Sequence, residues 1–122
     1  MSEKISDAEL VVMEALWDAA PLTANDVADR VAAGRDWSLP TVKTLLSRLM
    51  AKDVIAADQD GRRFLYRPVV VRDEYVAGES GRLVKRLFGG RVSPLVAQLA
   101  QQDQLSAQDI AELEDILKGL KS

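Results

Sequence analysis

The sequence predicts a mainly α-helical protein with a small β-hairpin wing. Apolar residues recur at helical spacing along most of the chain, two short alternating runs flank an Asp60-Gly61 pair, and capping residues precede the helical segments. The 122 residues are 48% hydrophobic and 29% charged, which is typical of a globular protein. No apolar run approaches about 18 residues, so we expect no membrane span and a cytoplasmic location.

The first two helices are expected before residue 35. Ser6 or Asp7 can cap the first helix, and its apolar positions recur at helical spacing: Leu10, Met13, Leu16 and Trp17. A short extended Leu22-Thr23 segment leads into a second helix of about ten residues. Gly34 is predicted to stop that helix.

The third helix has the most regular pattern in the chain. Ser38 suits its N-cap, and Pro40 is tolerated in a first turn because its missing amide hydrogen would have no helical partner there. One continuous apolar face is predicted: Val42, Leu45, Leu46, Leu49 and Met50. At about 100° per residue, the opposite face is polar and cationic: Thr41, Lys43, Thr44, Ser47 and Arg48.

A hairpin is predicted after the third helix. Two roughly alternating runs, Val54-Ile55-Ala56-Ala57 and Arg63-Phe64-Leu65-Tyr66-Arg67, are separated by Asp60-Gly61. We expect these two residues to supply the positive φ values of a tight turn. The chain is expected to divide after this unit, into residues 1–70 and 71–122.

Three further helices are predicted beyond Pro68. Gly89-Gly90 should stop the first, Ser93-Pro94 should cap and open the second, and Ser106-Ala107-Gln108-Asp109 resembles a capping box for the third. Their apolar stripes contain few large aromatic residues, which is marginal for an independent monomeric domain. We therefore expect a partner copy to cover a dimerisation surface of Tyr75, Val76, Leu83, Leu87, Phe88, Leu95, Leu99, Ile110, Leu113, Ile116 and Leu117.

The order of helix, short strand, helix, helix and hairpin is the plan of a winged helix-turn-helix. In such a fold the second helix of the pair enters the major groove of DNA, and a basic wing can hold the phosphate backbone or probe the minor groove. Hydroxyl, ammonium and guanidinium groups suit contacts to bases and phosphates. The candidate DNA-binding residues are Ser38, Thr41, Lys43, Thr44, Ser47, Arg48, Arg62, Arg63 and Arg67.

The charge distribution agrees with DNA binding although the net charge is -3. Residues 1–33 hold seven acidic and two basic side chains, whereas residues 34–68 hold four acidic and seven basic ones. The segment that contains the third helix and the hairpin is therefore positive. The acidic first helices would face away from DNA.

The absence of Cys and His excludes Ser-His and Cys-His nucleophile pairs and any thiolate or imidazole metal site. We predict no enzyme activity, no metal and no cofactor, although catalysis by carboxylates alone stays open.

The polar face of the third helix could, instead of binding DNA, be a solvated face or bind another protein. The hairpin arginines could protect an edge strand from aggregation.

The residues also resemble the BlaI/MecI penicillinase-repressor family, to which CopY-type copper repressors belong. The resemblance lies in Ile5-Ser6-Asp7-Ala8-Glu9, Met13, Leu16-Trp17, Thr41-Val42-Lys43-Thr44-Leu45-Leu46, Arg48-Leu49, Lys52, Gly61-Arg62, Tyr66 and Pro68. It extends through Tyr75, Phe88 and Asp103-Gln104-Leu105-Ser106. It implies a homodimeric winged-helix repressor, dimerised through its C-terminal helices, that binds palindromic operator DNA and often regulates its own promoter.

Two departures concern how such a repressor would be switched off. The resemblance to copper repressors implies Cys-x-Cys motifs, and their absence here excludes a copper-thiolate switch. In β-lactam repressors a sensor protease cuts an Asn-Phe bond, where alignment through Asp103-Gln104 places Gln98-Leu99. A sensor protease or another inducer is the expected further partner, and the inducing signal stays open.

Overall fold

A computed structural model describes residues 4–121, which form six helices and a two-stranded antiparallel sheet. The elements, in order, are α1 (Asp7–Ala19), α2 (Ala24–Val31), α3 (Leu39–Ala51), β1 (Ile55–Asp60), β2 (Arg63–Pro68), α4 (Arg72–Phe88), α5 (Ser93–Gln101) and α6 (Ala107–Lys121). The predicted class, mainly α-helical with one hairpin, is confirmed. The chain divides into two compact units, Met1–Tyr75 and Val76–Ser122, so the division falls within α4.

Side-chain caps begin the first three helices. The Ser6 hydroxyl accepts a hydrogen bond from the backbone N–H of Glu9, the Thr23 hydroxyl accepts one from Asp26, and the Ser38 hydroxyl accepts one from Thr41. These bonds satisfy N–H groups that have no partner within the helix. The prediction of a ten-residue α2 ending at Gly34 was wrong, because α2 ends at Val31 and Gly34 lies in the following loop with φ +74°.

The hairpin turn lies one residue later than predicted. Asp60 pairs with Arg63 in the sheet, so Gly61 and Arg62 form the turn, and of Asp60 and Gly61 only Gly61 has a positive φ, +66°. A glycine with positive φ at the first central position fits a type II′ turn, whereas the predicted Asp60-Gly61 pair assumed a turn with two positive φ values.

The extended segment before α2 pairs with the hairpin. The Leu22 N–H donates to the Tyr66 carbonyl oxygen at 3.0 Å, and the Tyr66 N–H donates to the Leu22 carbonyl oxygen at 2.7 Å. The start of α2 is therefore held beside β2. This contact places the wing next to the helix-turn-helix.

One apolar core holds the first unit together. Its fully buried side chains come from α1, α2 and α3: Val12, Met13, Leu16, Val27, Val42, Leu46 and Leu49. Met50 was predicted on the apolar face of α3 but is 38% exposed, because it lies at the edge of that face. The outward face of α3 is thus wider than the periodicity alone suggested.

The first turn of α4 belongs to the first unit. The Trp17 indole N–H donates to the Val70 carbonyl oxygen at 2.8 Å, and the rings of Trp17 and Tyr75 lie 5.8 Å apart between centroids. The Arg72 guanidinium pairs with Glu14 at 3.2 Å. These contacts hold the chain after β2 against α1.

The second unit leaves much apolar surface exposed. No described residue of α4, α5 or α6 is buried in the single chain. Ser106 and Asp109 cap α6 reciprocally as predicted, but Ser93 is the first residue of α5 rather than its cap. Among residues 4–121, no helix combines the length and hydrophobicity needed to cross a bilayer.

Candidate nucleic-acid interface

The two faces of α3 have opposite character. Val42, Leu45, Leu46 and Leu49 are buried, while the five predicted groove-facing side chains are all exposed: Thr41, Lys43, Thr44, Ser47 and Arg48. Because α1 and α2 both pack against the apolar face of α3, the opposite face of α3 is left in solvent. The structure thus brings these five side chains together on one surface.

Several hydroxyl groups of this region already make local hydrogen bonds. The Ser38 Oγ lies 3.0 Å from the Thr41 Oγ1 and accepts from the Thr41 N–H at 3.3 Å, so Ser38 acts as a helix cap. The Thr44 hydroxyl donates to the Pro40 carbonyl oxygen at 3.0 Å. Thr44 can therefore still accept a hydrogen bond from a base, but its hydrogen is engaged. Within the described chain, the Ser47 hydroxyl has no hydrogen bond.

The cations of the interface form two groups. Over residues 4–121, Lys43, Arg48 and Arg62 take part in no ion pair, whereas Arg63 pairs with Asp60 at 3.0 Å and Arg67 pairs with Asp58 at 2.9 Å. The hairpin from Ile55 to Pro68 carries three arginines and two aspartates. Its surface is therefore less basic than a count of its arginines suggests.

A second carboxylate lies within electrostatic range of Arg63. The pKa of Asp26 is lowered, first by hydrogen bonds from the Thr23 N–H and hydroxyl, and further by the charges of Arg63 and Arg30. Arg63 thus faces acidic groups on the hairpin and at the start of α2. Sequence reasoning missed these pairings because they depend on the register of the hairpin, in which Asp60 lies opposite Arg63.

The ion pair between Glu9 and Lys52 was also missed from the sequence. The Lys52 Nζ lies 2.6 Å from the Glu9 Oε1 and 2.8 Å from the Lys4 carbonyl oxygen. Burial raises the pKa of Glu9, but the Lys52 ammonium and the hydrogen bonds from Ser6 outweigh it, so the net pKa is lowered. The Ser6-x-x-Glu9 spacing signals a capping box, and only the fold shows the contact with Lys52.

The lowered pKa of Glu9 predicts a loss of stability in acid. A carboxyl whose folded-state pKa lies below its usual value of 4.5 contributes its full stabilisation above that pH and loses it as pH falls through the folded-state pKa. We expect the unfolding free energy of wild type to fall toward that of Glu9→Gln below about pH 4.5 in urea titrations. Glu114→Gln on exposed α6 serves as the control. A difference between wild type and Glu9→Gln that stays constant down to about pH 2 would contradict the prediction.

Within residues 4–121, no group of three or more acidic residues is arranged to hold a metal ion. An exposed polar and cationic helix face, packed on a three-helix core beside an arginine-bearing hairpin, defines a winged-helix DNA-binding protein.

The chain belongs to the penicillinase repressor family, whose model matches residues 5–119. It is 33% identical over 119 residues to the penicillinase repressor of Bacillus licheniformis, covering 98% of this chain and 93% of that protein. It is 31% identical over 114 residues to the methicillin resistance regulatory protein MecI of Mammaliicoccus sciuri, covering 93% of each.

Solved structures show the same fold in the first unit. The solution structure of the DNA-binding domain of the repressor BlaI matches with a TM-score of 0.55 and 33% identity, covering 62% of this chain and 92% of that domain. The Bacillus licheniformis BlaI monomer in complex with the blaP half-operator matches with a TM-score of 0.53, 33% identity and the same coverage. The predicted winged-helix architecture is confirmed.

Proposed function

We propose that this protein is a transcriptional repressor that binds palindromic operator DNA as a homodimer, in the cytoplasm, and catalyses no reaction. The observation that carries the proposal is the exposed face of α3, where Lys43 and Arg48 have no ion pair within residues 4–121. Membership of a family of repressors and the likeness to a BlaI domain bound to a half-operator support it. Occupation of promoter DNA would itself prevent transcription.

In this proposal α3 lies in the major groove. Arg48 can donate two hydrogen bonds to the O6 and N7 atoms of one guanine, and Lys43 can donate to a guanine or a phosphate. The methyl groups of Thr41 and Thr44 can contact thymine methyl groups. Ser38 caps the start of α3, and Ser47 lies within the exposed face between Thr44 and Arg48. Arg62 at the tip of the hairpin contacts the phosphate backbone.

The homodimer is proposed from the apolar surface of the second unit. In one chain Val76 is 40% exposed, Leu87 59%, Ile116 60% and Leu117 56%. The other predicted dimerisation residues of this unit are exposed or half-buried: Leu83, Phe88, Leu95, Leu99, Ile110 and Leu113. Tyr75 packs on Trp17 in the first unit, and its part in dimerisation stays a prediction. A twofold pair would place two α3 helices on half-sites one helical turn, or a multiple of it, apart.

The inducing signal would weaken either the association of the dimer or its affinity for DNA. Gln98-Leu99, at the position where the family resemblance implies protease cleavage, lies inside α5. A sensor protease or another inducer therefore stays a proposal, and the departure from Asn-Phe favours a different cut or a different signal.

The direct test is selection of duplexes from a random pool, followed by affinity measurements over a range of salt concentrations. We expect one palindromic sequence to be enriched, with the logarithm of affinity falling steeply with the logarithm of salt concentration as several phosphates are neutralised. If no duplex is bound at low salt, the exposed face of α3 would have to serve a protein partner instead.

The same salt titration distinguishes the contributions of the hairpin arginines to DNA binding. Arg62→Ala should weaken binding to all sequences and reduce the magnitude of the log–log slope by about 0.9, the value for one phosphate. Arg63→Ala should change the slope less, because Asp60 already neutralises Arg63. A larger slope change for Arg63→Ala than for Arg62→Ala, or a loss confined to particular sequences, would contradict this assignment.

A further inference from the structure

The ion pair between Glu9 and Lys52 connects α1 to the C-terminal end of α3, the helix whose exposed face is the candidate DNA-binding surface. Glu9 lies in the first turn of α1, and Lys52 is the C-cap residue of α3, 43 positions later. The Glu9 side chain is 1% exposed and the Lys52 side chain 20%. Lys52 also donates to the carbonyl oxygen of Lys4, so its ammonium is held from two directions.

A pair buried in this way constrains geometry more than it adds stability. The cost of removing two charges from water offsets most of their attraction, whereas either charge left alone inside the protein is strongly unfavourable. The Glu9 Oε1 also accepts from the Ser6 N–H at 2.8 Å, and the Glu9 Oε2 has no hydrogen-bond partner among the described residues. Lys52 therefore provides the balancing charge, and α3 cannot slide along α1 without separating the two groups.

The remaining contacts of α3 with the core lack this directionality. They are made by aliphatic side chains such as Val42, Leu46 and Leu49, and apolar burial depends on area rather than on the angle of approach. Lys52 also donates its backbone N–H to the carbonyl oxygen of Arg48 at 3.1 Å. A shift of Lys52 would therefore move the backbone of a candidate base-reading residue.

We propose that Glu9 and Lys52 are positioning residues for DNA recognition: their ion pair sets the axial position and rotation of α3 and so aims its exposed face at the base edges. Neither side chain touches DNA in this mechanism. The inference rests on the proposed function, because an aimed helix matters only if α3 reads a sequence. Recognition sites require their contacting groups to be held within about 0.5 Å by packing and by supporting hydrogen bonds, and Lys52 supplies two such bonds at the end of α3.

The test compares three variants of the full chain with wild type. Lys52→Met keeps the aliphatic stem and removes the charge, and Lys52→Arg keeps the charge. Lys4→Met removes one positive charge from an exposed side chain while leaving the backbone carbonyl oxygen that Lys52 uses. Affinity is measured for the duplex selected with wild type and for a scrambled duplex, at a temperature where circular dichroism shows every variant folded.

We expect Lys52→Met to lower the ratio of selected to scrambled affinity about tenfold, the effect of one misplaced base contact. Lys52→Arg should restore most of the ratio, and Lys4→Met should leave it unchanged. Affinity for the scrambled duplex depends on the charge of the protein rather than on the orientation of α3. This affinity should therefore change about equally in Lys52→Met and Lys4→Met.

A second variant covers the case in which Lys52→Met does not fold. Glu9→Gln with Lys52→Met removes the buried charge from both sides, which avoids the unpaired carboxylate. A folded single or double variant with the wild-type ratio would overturn the positioning role. If wild type selects no sequence, the proposed function is overturned and this inference with it. If wild type is selective and the variant is equally selective, only the positioning role is overturned.

Discussion

Deletion of residues 76–122 is expected to lower affinity for the full palindromic operator by a factor of about 10² to 10⁴. In the intact homodimer the second α3 binds its half-site at a high effective concentration once the first has bound, and the deletion removes that advantage. The cut follows Tyr75, so the contact of Tyr75 with Trp17 and the whole core of the first unit are kept. The truncated chain should therefore remain folded.

A duplex that contains a single half-site provides the control for this deletion. Because only one α3 can engage such a duplex, the full-length and truncated proteins should bind it with similar affinity. Ile116→Asp in the full-length protein should reproduce the deletion, because a buried unpaired carboxylate is costly in a dimer interface whereas Ile116 is 60% exposed in one chain. A truncated protein that still sediments as a dimer, or binds the palindrome as tightly as the full chain, would contradict the assignment of the second unit.

Arg48→Ala is expected to have the largest effect of any single substitution in the exposed face of α3. If the guanidinium contacts one guanine through two hydrogen bonds, its loss should cost about 1–3 kcal/mol of operator binding, or roughly 5- to 150-fold in affinity. Scrambled duplexes should lose much less. The loss should be concentrated at one base pair of each half-site, which affinities for single-base variants of the operator would reveal.

Arg91→Ala is a matched control for Arg48→Ala, because Arg91 is an exposed arginine in the loop between α4 and α5. It removes the same charge from the second unit, which contributes none of the predicted DNA-binding residues. Equal losses for Arg48→Ala on operator and scrambled duplexes would show that Arg48 contacts phosphate rather than a base. A loss of operator affinity no larger than that of Arg91→Ala would show that Arg48 is not part of the interface.

The periodic segments were predicted well because their information is local. The spacing of Val42, Leu45 and Leu49 places them on one side of any α-helix, and the fold then buries that side. Ser38 and Ser106 act as the predicted caps because a cap depends on residues three positions apart. Features at the ends of elements were less accurate, and Ser93 and the end of α2 show how small shifts in backbone geometry move a boundary.

The candidate site could be predicted as a surface but not as an arrangement of charges. The pattern of α3 indicated which side chains would be exposed, and the Asp-Gly signal indicated a hairpin. A turn at Asp60-Gly61 would have placed Asp58 opposite Arg63, whereas the observed turn places Asp60 there and leaves Asp58 to pair with Arg67. Strand pairing has a period of two residues, so such a shift changes every cross-strand neighbour.

The sequence by itself determined the class of fold, the outward face of α3 and the positive segment that carries it, because helix periodicity and composition are properties of neighbouring residues. The tertiary structure alone decided which charges remain free. Among residues 4–121 it leaves Arg62 without an ion pair, whereas Arg63 and Arg67 are paired with aspartates. It also brings Lys52 to Glu9, 43 positions away in the sequence. Pairings of this kind depend on strand register and helix packing, which no local pattern of residues encodes.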